Sequence, residues 1–131
     1  MPDFTFFRGK QPFTILVCGD KRWEDSKVIE TTLKYIQSHV RIARVIAQKQ
    51  SGAATIAIKA AINLKLARKV YSRRVEKYGT KALDMQVKRM FKDGAPSIVL
   101  CFSSDVSFSP SAWAVVSGAI HRNISVLMVS R

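Results

Sequence analysis

The chain of 131 residues holds 22 Lys and Arg against 9 Asp and Glu, a formal net charge of +13, with 47% hydrophobic residues. That composition suits one core without disulfides or a structural metal, so a single domain over residues 1–131 is expected, with 1–12 as an N-terminal extension. The longest apolar runs, at 98–102 and 126–129, are too short to cross a bilayer, and Asp3 and Arg8 among Phe4, Phe6 and Phe7 do not make a secretory signal. No membrane partner and an intracellular, reducing compartment, the cytoplasm, are therefore expected.

Residues 13–18 (FTILVC) form a continuous apolar run ending at Gly19, the pattern of a strand covered on both faces. Asp25 or Ser26 caps a helix in which Val28, Ile29, Leu33, Ile36 and Val40 recur at helical spacing. Residues 44–47 read as a second strand, and Ser51 with Gly52 opens a second helix with Ile56, Ala60, Ala61 and Leu64 as its stripe. Residues 69–73 read as a short third strand, whose low apolar content suits a sheet edge. Thr80 caps a helix carrying Leu83, Val87, Met90 and Phe91, which Gly94 ends and Pro96 keeps from continuing. Residues 97–102 are a buried strand, Ser109 and Pro110 start a helix through Trp113, Val116 and Ile120, and 124–129 is the last strand. This alternation predicts an α/β fold: a three-layer Rossmann-like arrangement with a mainly parallel sheet of about five strands and helices on both faces.

In such sheets ligands lie beyond the carboxyl ends of the strands, which singles out three loops. The first, Gly19, Asp20, Lys21, Arg22 and Trp23, joins a glycine for close approach to two cations and an aromatic. That Trp either stacks on a base or covers the sheet edge. The second brings Lys49, Ser51 and Gly52 to a helix start, where backbone N–H groups and the macrodipole favour an anion. It has neither a GxGxxG nor a GxxxxGK[ST] pattern, and bulky Gln48, Lys49 and Gln50 limit backbone approach, so an ordinary helix cap competes with a phosphate site there. The third, from Ser103, Ser104 and Asp105 to Ser109, offers hydroxyls and another helix start, chemistry suited to an anion or a ribose.

Basic residues crowd the interval 65–92, and Arg73, Arg74, Lys77, Lys81, Lys88, Arg89 and Lys92 are the candidates for contacting nucleic acid. Lys81, Lys88 and Lys92 fall on one solvent stripe opposite Leu83 and Val87, able to follow phosphates with a salt-sensitive grip. His39 and His121 have no acid or nucleophile pattern beside them, and no carboxylate pair or metal-spaced cluster stands out. Catalytic residues, a metal and a cofactor are therefore not expected. Cys18 and Cys101, without CxxC or Cys/His neighbours, are expected as free core thiols.

Taken in order, residues 15–23 (ILVCGDKRW), Gly52 and Ala53, Lys77 to Gly79 with Met90 and Gly94, and finally 97–102 resemble the SLOG superfamily, and more narrowly its small YspA-like members. The resemblance spans 13–129 and implies a Rossmann-like fold that binds nucleotides or nucleotide-derived signals. Distant relatives include cytokinin-activating phosphoribohydrolases and a DNA-processing protein that binds single-stranded DNA. The departures fall where such relatives hold phosphate. The family's GGxxGAD stretch stands here as QKQSGAA at 48–54, its RN pair would fall on Gln86 and Val87, and its GT at the last helix start is replaced around Ser109 to Ser111. Loss of the acid and of the RN pair argues against inherited hydrolase chemistry. The expected function is a non-enzymatic binding module for a phosphate-bearing ligand, a nucleotide or a nucleic acid (DNA or RNA), on a degenerate SLOG-like fold. The alternative is a structural or accessory subunit in a larger assembly or homo-oligomer, its cations meeting an acidic or RNA-bearing neighbour.

Overall fold

A computed structural model describes residues 12–104 and 109–130. In chain order the elements are β1 (Phe13–Gly19), α1 (Ser26–His39), β2 (Ile42–Gln48), α2 (Ala53–Asn63), β3 (Ala67–Tyr71), the single turn α3 (Val75–Tyr78), α4 (Ala82–Gly94), β4 (Ile98–Phe102), α5 (Pro110–His121) and β5 (Ser125–Val129). All five strands are parallel and form one sheet in the order β3-β2-β1-β4-β5. The expected Rossmann-like, three-layer α/β fold is the one observed.

Strand β1 is central, with Ile15 opposite Val45 on one side and Ile98 on the other. Its alternate side chains divide between the two layers, as a period of two requires. Ile15 and Val17 pack with Ile29, Leu33 and Ile36 of α1 and the alanines of α2, while Leu16 and Cys18 pack with α4 and α5. Helix α2 meets the sheet through Ala53, Ala57, Ala60 and Ala61, whose small side chains allow the helix to lie close. Of the two residues able to cap α1, Asp25 is the one used: its carboxylate accepts the Val28 N–H at 3.2 Å. Among the described residues, no helix is long and apolar enough to cross a membrane.

Several boundaries differ from the sequence expectation. The third strand is Ala67–Tyr71 instead of 69–73; it is an edge strand on which only Tyr71 is buried, so hydrophobicity barely marks it. Thr80 does not cap α4. It lies in a short 3₁₀ turn, Gly79–Lys81, and Lys81 occupies the cap position without a side-chain bond. Gly94 does end α4, but the left-handed residue beyond it is Ala95, with φ of 46°. Gly94 answers to packing: a Cβ there would come within 2.4 Å of Ile46 Cδ1. The same end of α4 is clamped to the sheet. Arg44 donates to the carbonyl oxygens of Asp93 and Gly94 at 3.1 Å each, and Lys69 and Tyr71 donate to the Asp93 carboxylate. Cations at a helix C-terminus also meet the negative end of its dipole.

Candidate functional site

The chain runs from β1 toward β2 on one side of the sheet and reaches β4 on the other, so the strand order reverses at the ends of β1 and β4. At that point a Cβ on Gly19 would stand 2.2 Å from the Phe102 carbonyl oxygen, so only glycine lets the two strands lie this close. The Asp20 N–H donates to that same carbonyl at 2.9 Å. The Asp20 carboxylate accepts the Ser103 hydroxyl at 2.8 Å and the Ser104 N–H at 3.3 Å. Gly19, Asp20, Ser103 and Ser104 thus come together, as a clasp that ties the β1 and β4 loops to each other. Part of the third loop, 105–108 with Asp105, lies outside the described residues.

Trp23 takes the covering role of its two readings. Its side chain is 2% exposed, packs edge-on against Phe102 with ring centroids 5.8 Å apart, and donates its indole N–H to the Asp25 carbonyl at 2.9 Å. A base has no open face to stack on. At the second loop, Gly52 has φ of +80°, and a Cβ there would sit 2.2 Å from the Asp20 carbonyl oxygen. That carbonyl accepts the Ala53 N–H at 3.0 Å, and the Ser51 hydroxyl donates to the Lys21 carbonyl at 3.3 Å. The first loop's backbone therefore caps α2, and this amide is taken by protein, as in an ordinary helix cap.

The open space lies to one side of this clasp. A depression of about 510 Å³ has Lys21, Lys49 and Arg73 at its rim and Gln48 and Gln86 in its wall. A second, of about 570 Å³, shares Lys21, Gln50 and Arg73 with the first and extends past Arg22 to Ser109 at the start of α5. Gln50 stands between them and donates to the Ser111 hydroxyl at 2.8 Å. Together they form one cleft, to which the loops after β1, β2 and β3 each bring a cation. Among the described residues, none of Lys21, Arg22, Lys49 and Arg73 makes an ion pair. Among the described residues, the carboxylate lining the cleft is that of Asp20, already bonded to Ser103 and Ser104.

Gln48 and Gln86, for which the sequence suggested no binding role, are 3% and 2% exposed. Gln86 Nε2 donates to the Tyr71 carbonyl at 2.8 Å, and Gln48 Nε2 donates to Gln86 Oε1 at 3.1 Å. Gln48 Oε1 is buried without a hydrogen-bond partner. The missed signal is legible in retrospect: Gln86 stands among Leu83, Val87 and Met90 on the inward face of α4, where an unexplained polar residue is out of place.

The basic candidates stand in different settings. Arg73, Arg74 and Lys77 gather around α3 beside the cleft mouth. Arg89 is committed to the fold, donating to the Ser72 carbonyl at 2.6 Å with its guanidinium 5.5 Å from the centre of the Tyr71 ring. Lys81, Lys88 and Lys92 are exposed as expected, but exposed Asp84 interrupts their stripe. Cys18 and Cys101 are free, buried and directly opposite each other on β1 and β4. The hydrogen bond with Cys101, then burial, holds the Cys18 thiol well above its ordinary pKa. Among the described residues, no three His, Cys, Asp or Glu side chains gather as a metal site would need. No family model and no curated protein matches the sequence, so it is the cleft's own side chains that bear on function.

Proposed function

We propose that the protein is a non-enzymatic binding module that holds a phosphate-bearing ligand, a nucleotide or a nucleic acid strand, on a SLOG-like core of the YspA type. The observation that carries this reading is the gathering of Lys21, Arg22, Lys49 and Arg73 on one cleft, where none of them makes an ion pair among the described residues. Like charges that line one cleft repel one another, and a bound anion would relieve that repulsion. The start of α5 adds the positive end of a helix dipole at the far side, and the net charge of +13 draws anions in from a distance.

The test is binding of labelled oligonucleotide by anisotropy, and of nucleotides by thermal shift, each at low and high salt. Polymer binding weakens steeply with salt, because each neutralised phosphate releases counterions. Binding to a mononucleotide within the cleft is less sensitive. Replacing Lys21, Lys49 and Arg73 together by Ala should abolish either, whereas Lys92→Ala should leave a mononucleotide unaffected. No oligonucleotide binding at low salt together with no nucleotide-induced shift would remove the proposal.

A second reading, an accessory subunit of a larger assembly, draws support from a different face. Trp113 and Ile120, 52% and 60% exposed, stand seven residues apart on α5, and the adjacent edge strand β5 exposes Met128. Sedimentation separates the two: self-association that Trp113→Ser and Ile120→Ser abolish, with anion binding intact, favours an assembly role for this face.

A further inference from the structure

We infer that Gln48 is the specificity-determining residue of the cleft, reading a hydrogen-bond donor, an O–H or N–H, on the uncharged end of the ligand. This rests on the phosphate-binding reading above and adds to it what the rest of the ligand must carry.

The polarity of the wall is fixed from one end. The Tyr71 carbonyl can only accept, and it takes both the Lys49 N–H and Gln86 Nε2 at 2.8 Å. Gln86 therefore turns its Oε1 toward Gln48, and that oxygen too can only accept. Gln48 must answer with Nε2, since reversing either amide sets acceptor against acceptor. What remains is Gln48 Oε1, an acceptor with no partner in a residue 3% exposed. Gln48 is the last residue of β2, so the sheet fixes its backbone, and Gln86 holds its amide from the side.

A buried acceptor left unpaired is costly, and most in folded proteins are paired. A ligand that brings a donor to Gln48 removes that penalty, whereas one that brings only an acceptor or a methyl group does not. Lys21, Lys49 and Arg73 border the same depression, so the phosphate and the donor belong to one molecule. The fitting class is a phosphate ester whose other end carries a sugar hydroxyl or a base N–H. The two sources share the chemistry that Gln48 recognises.

Isothermal titration of the full chain with methyl phosphate, ribose 5-phosphate and guanosine monophosphate separates them. Methyl phosphate has the anion without the donor, ribose 5-phosphate adds hydroxyls, and the nucleotide adds base N–H groups. We expect at least one donor-bearing ligand to bind about tenfold or more tightly than methyl phosphate. Equal gain for both assigns the donor to the sugar, and gain for the nucleotide alone assigns it to the base. Gln48→Met should close most of that gap. Gln86→Met keeps Gln48 but frees its amide to turn, and should narrow the gap as well; it also stands in should Gln48→Met fail to fold. Equal binding of all three ligands, or a gap that survives in both variants, overturns the role of Gln48 while phosphate binding stands. Binding of none of the three at low salt overturns both.

Discussion

The Asp20 carboxylate and the Ser103 hydroxyl meet at 2.8 Å across the gap between the ends of β1 and β4. In open α/β sheets that gap is the usual ligand entrance. Here the chain bridges it with its own acid. The open space beside that bridge runs from Lys49 and Arg73 on the β2 and β3 loops past Lys21 and Arg22 to Ser109 at the start of α5. Among the described residues, the bridge keeps the Asp20 carboxylate engaged, and the cations beside it make no ion pair.

Asp20→Ala should separate the clasp from the cleft. Two hydrogen bonds to a charged acceptor disappear and the buried Ser103 hydroxyl loses its partner, so stability should fall by about 1–3 kcal/mol. Phosphate affinity should stay level or rise, because a negative charge has been removed from the lining. Urea denaturation and titration calorimetry on the same preparation check both halves. A collapse of affinity at unchanged stability would show that Asp20 itself holds ligand.

Two glycines should respond very differently to alanine. At Gly52, φ is +80° and the new Cβ would meet backbone atoms of Asp20 and Lys21 at 2.2 to 2.5 Å, none of which can move alone. Gly52→Ala should cost about 3–5 kcal/mol or prevent folding. At Gly94 the close contact is the tip of Ile46, 2.4 Å away, which can rotate. Gly94→Ala should cost about 1–2 kcal/mol, part of the overpacking being offset by better helix propensity. Denaturation midpoints rank the two.

Asp93 should set part of the pH dependence of stability. Its hydrogen bond from Lys69, then that from Tyr71, holds the carboxyl below its ordinary value of 3.8. A depressed folded-state pKa stabilises fully above the unfolded value and is lost as pH falls through the folded one. Stability from this contact is therefore constant at neutral pH and declines below about pH 4. The Lys69 ammonium, raised chiefly by its bond to Asp93, and the Tyr71 hydroxyl, raised chiefly by burial, contribute the opposite limb, which fades as pH climbs through their folded values. Asp93→Asn should flatten the acid limb in a series of denaturation curves. An unchanged acid limb would mean that the contact contributes nothing in solution.

The fold was legible wherever burial on both faces left unbroken apolar runs, as at 13–18 and 98–102. It was less so at β3, where an exposed edge position removes the hydrophobic signal from all but Tyr71. The four-residue α3 buries nothing, so no pattern announces it. At the site, Lys21, Arg22 and Lys49 were legible as cations on rim loops, whereas Arg73 was legible only as one of the basic residues of 65–92, because the expected strand of 69–73 included it. Trp23 was ambiguous because a core indole and a stacking indole look alike in sequence. Gln48 and Gln86 were invisible as a pair, since 38 residues separate them and only the sheet brings their amides together.

The strand order β3-β2-β1-β4-β5 has a consequence for how recognition and folding are joined. The first half of the chain, through β3, contributes Lys21, Lys49 and Gln48, while Gln86 and the start of α5 belong to the second. Neither half holds all of the cleft's side chains. If the cleft binds as proposed, its occupancy requires the two halves to be docked, and binding would then report that the sheet has assembled.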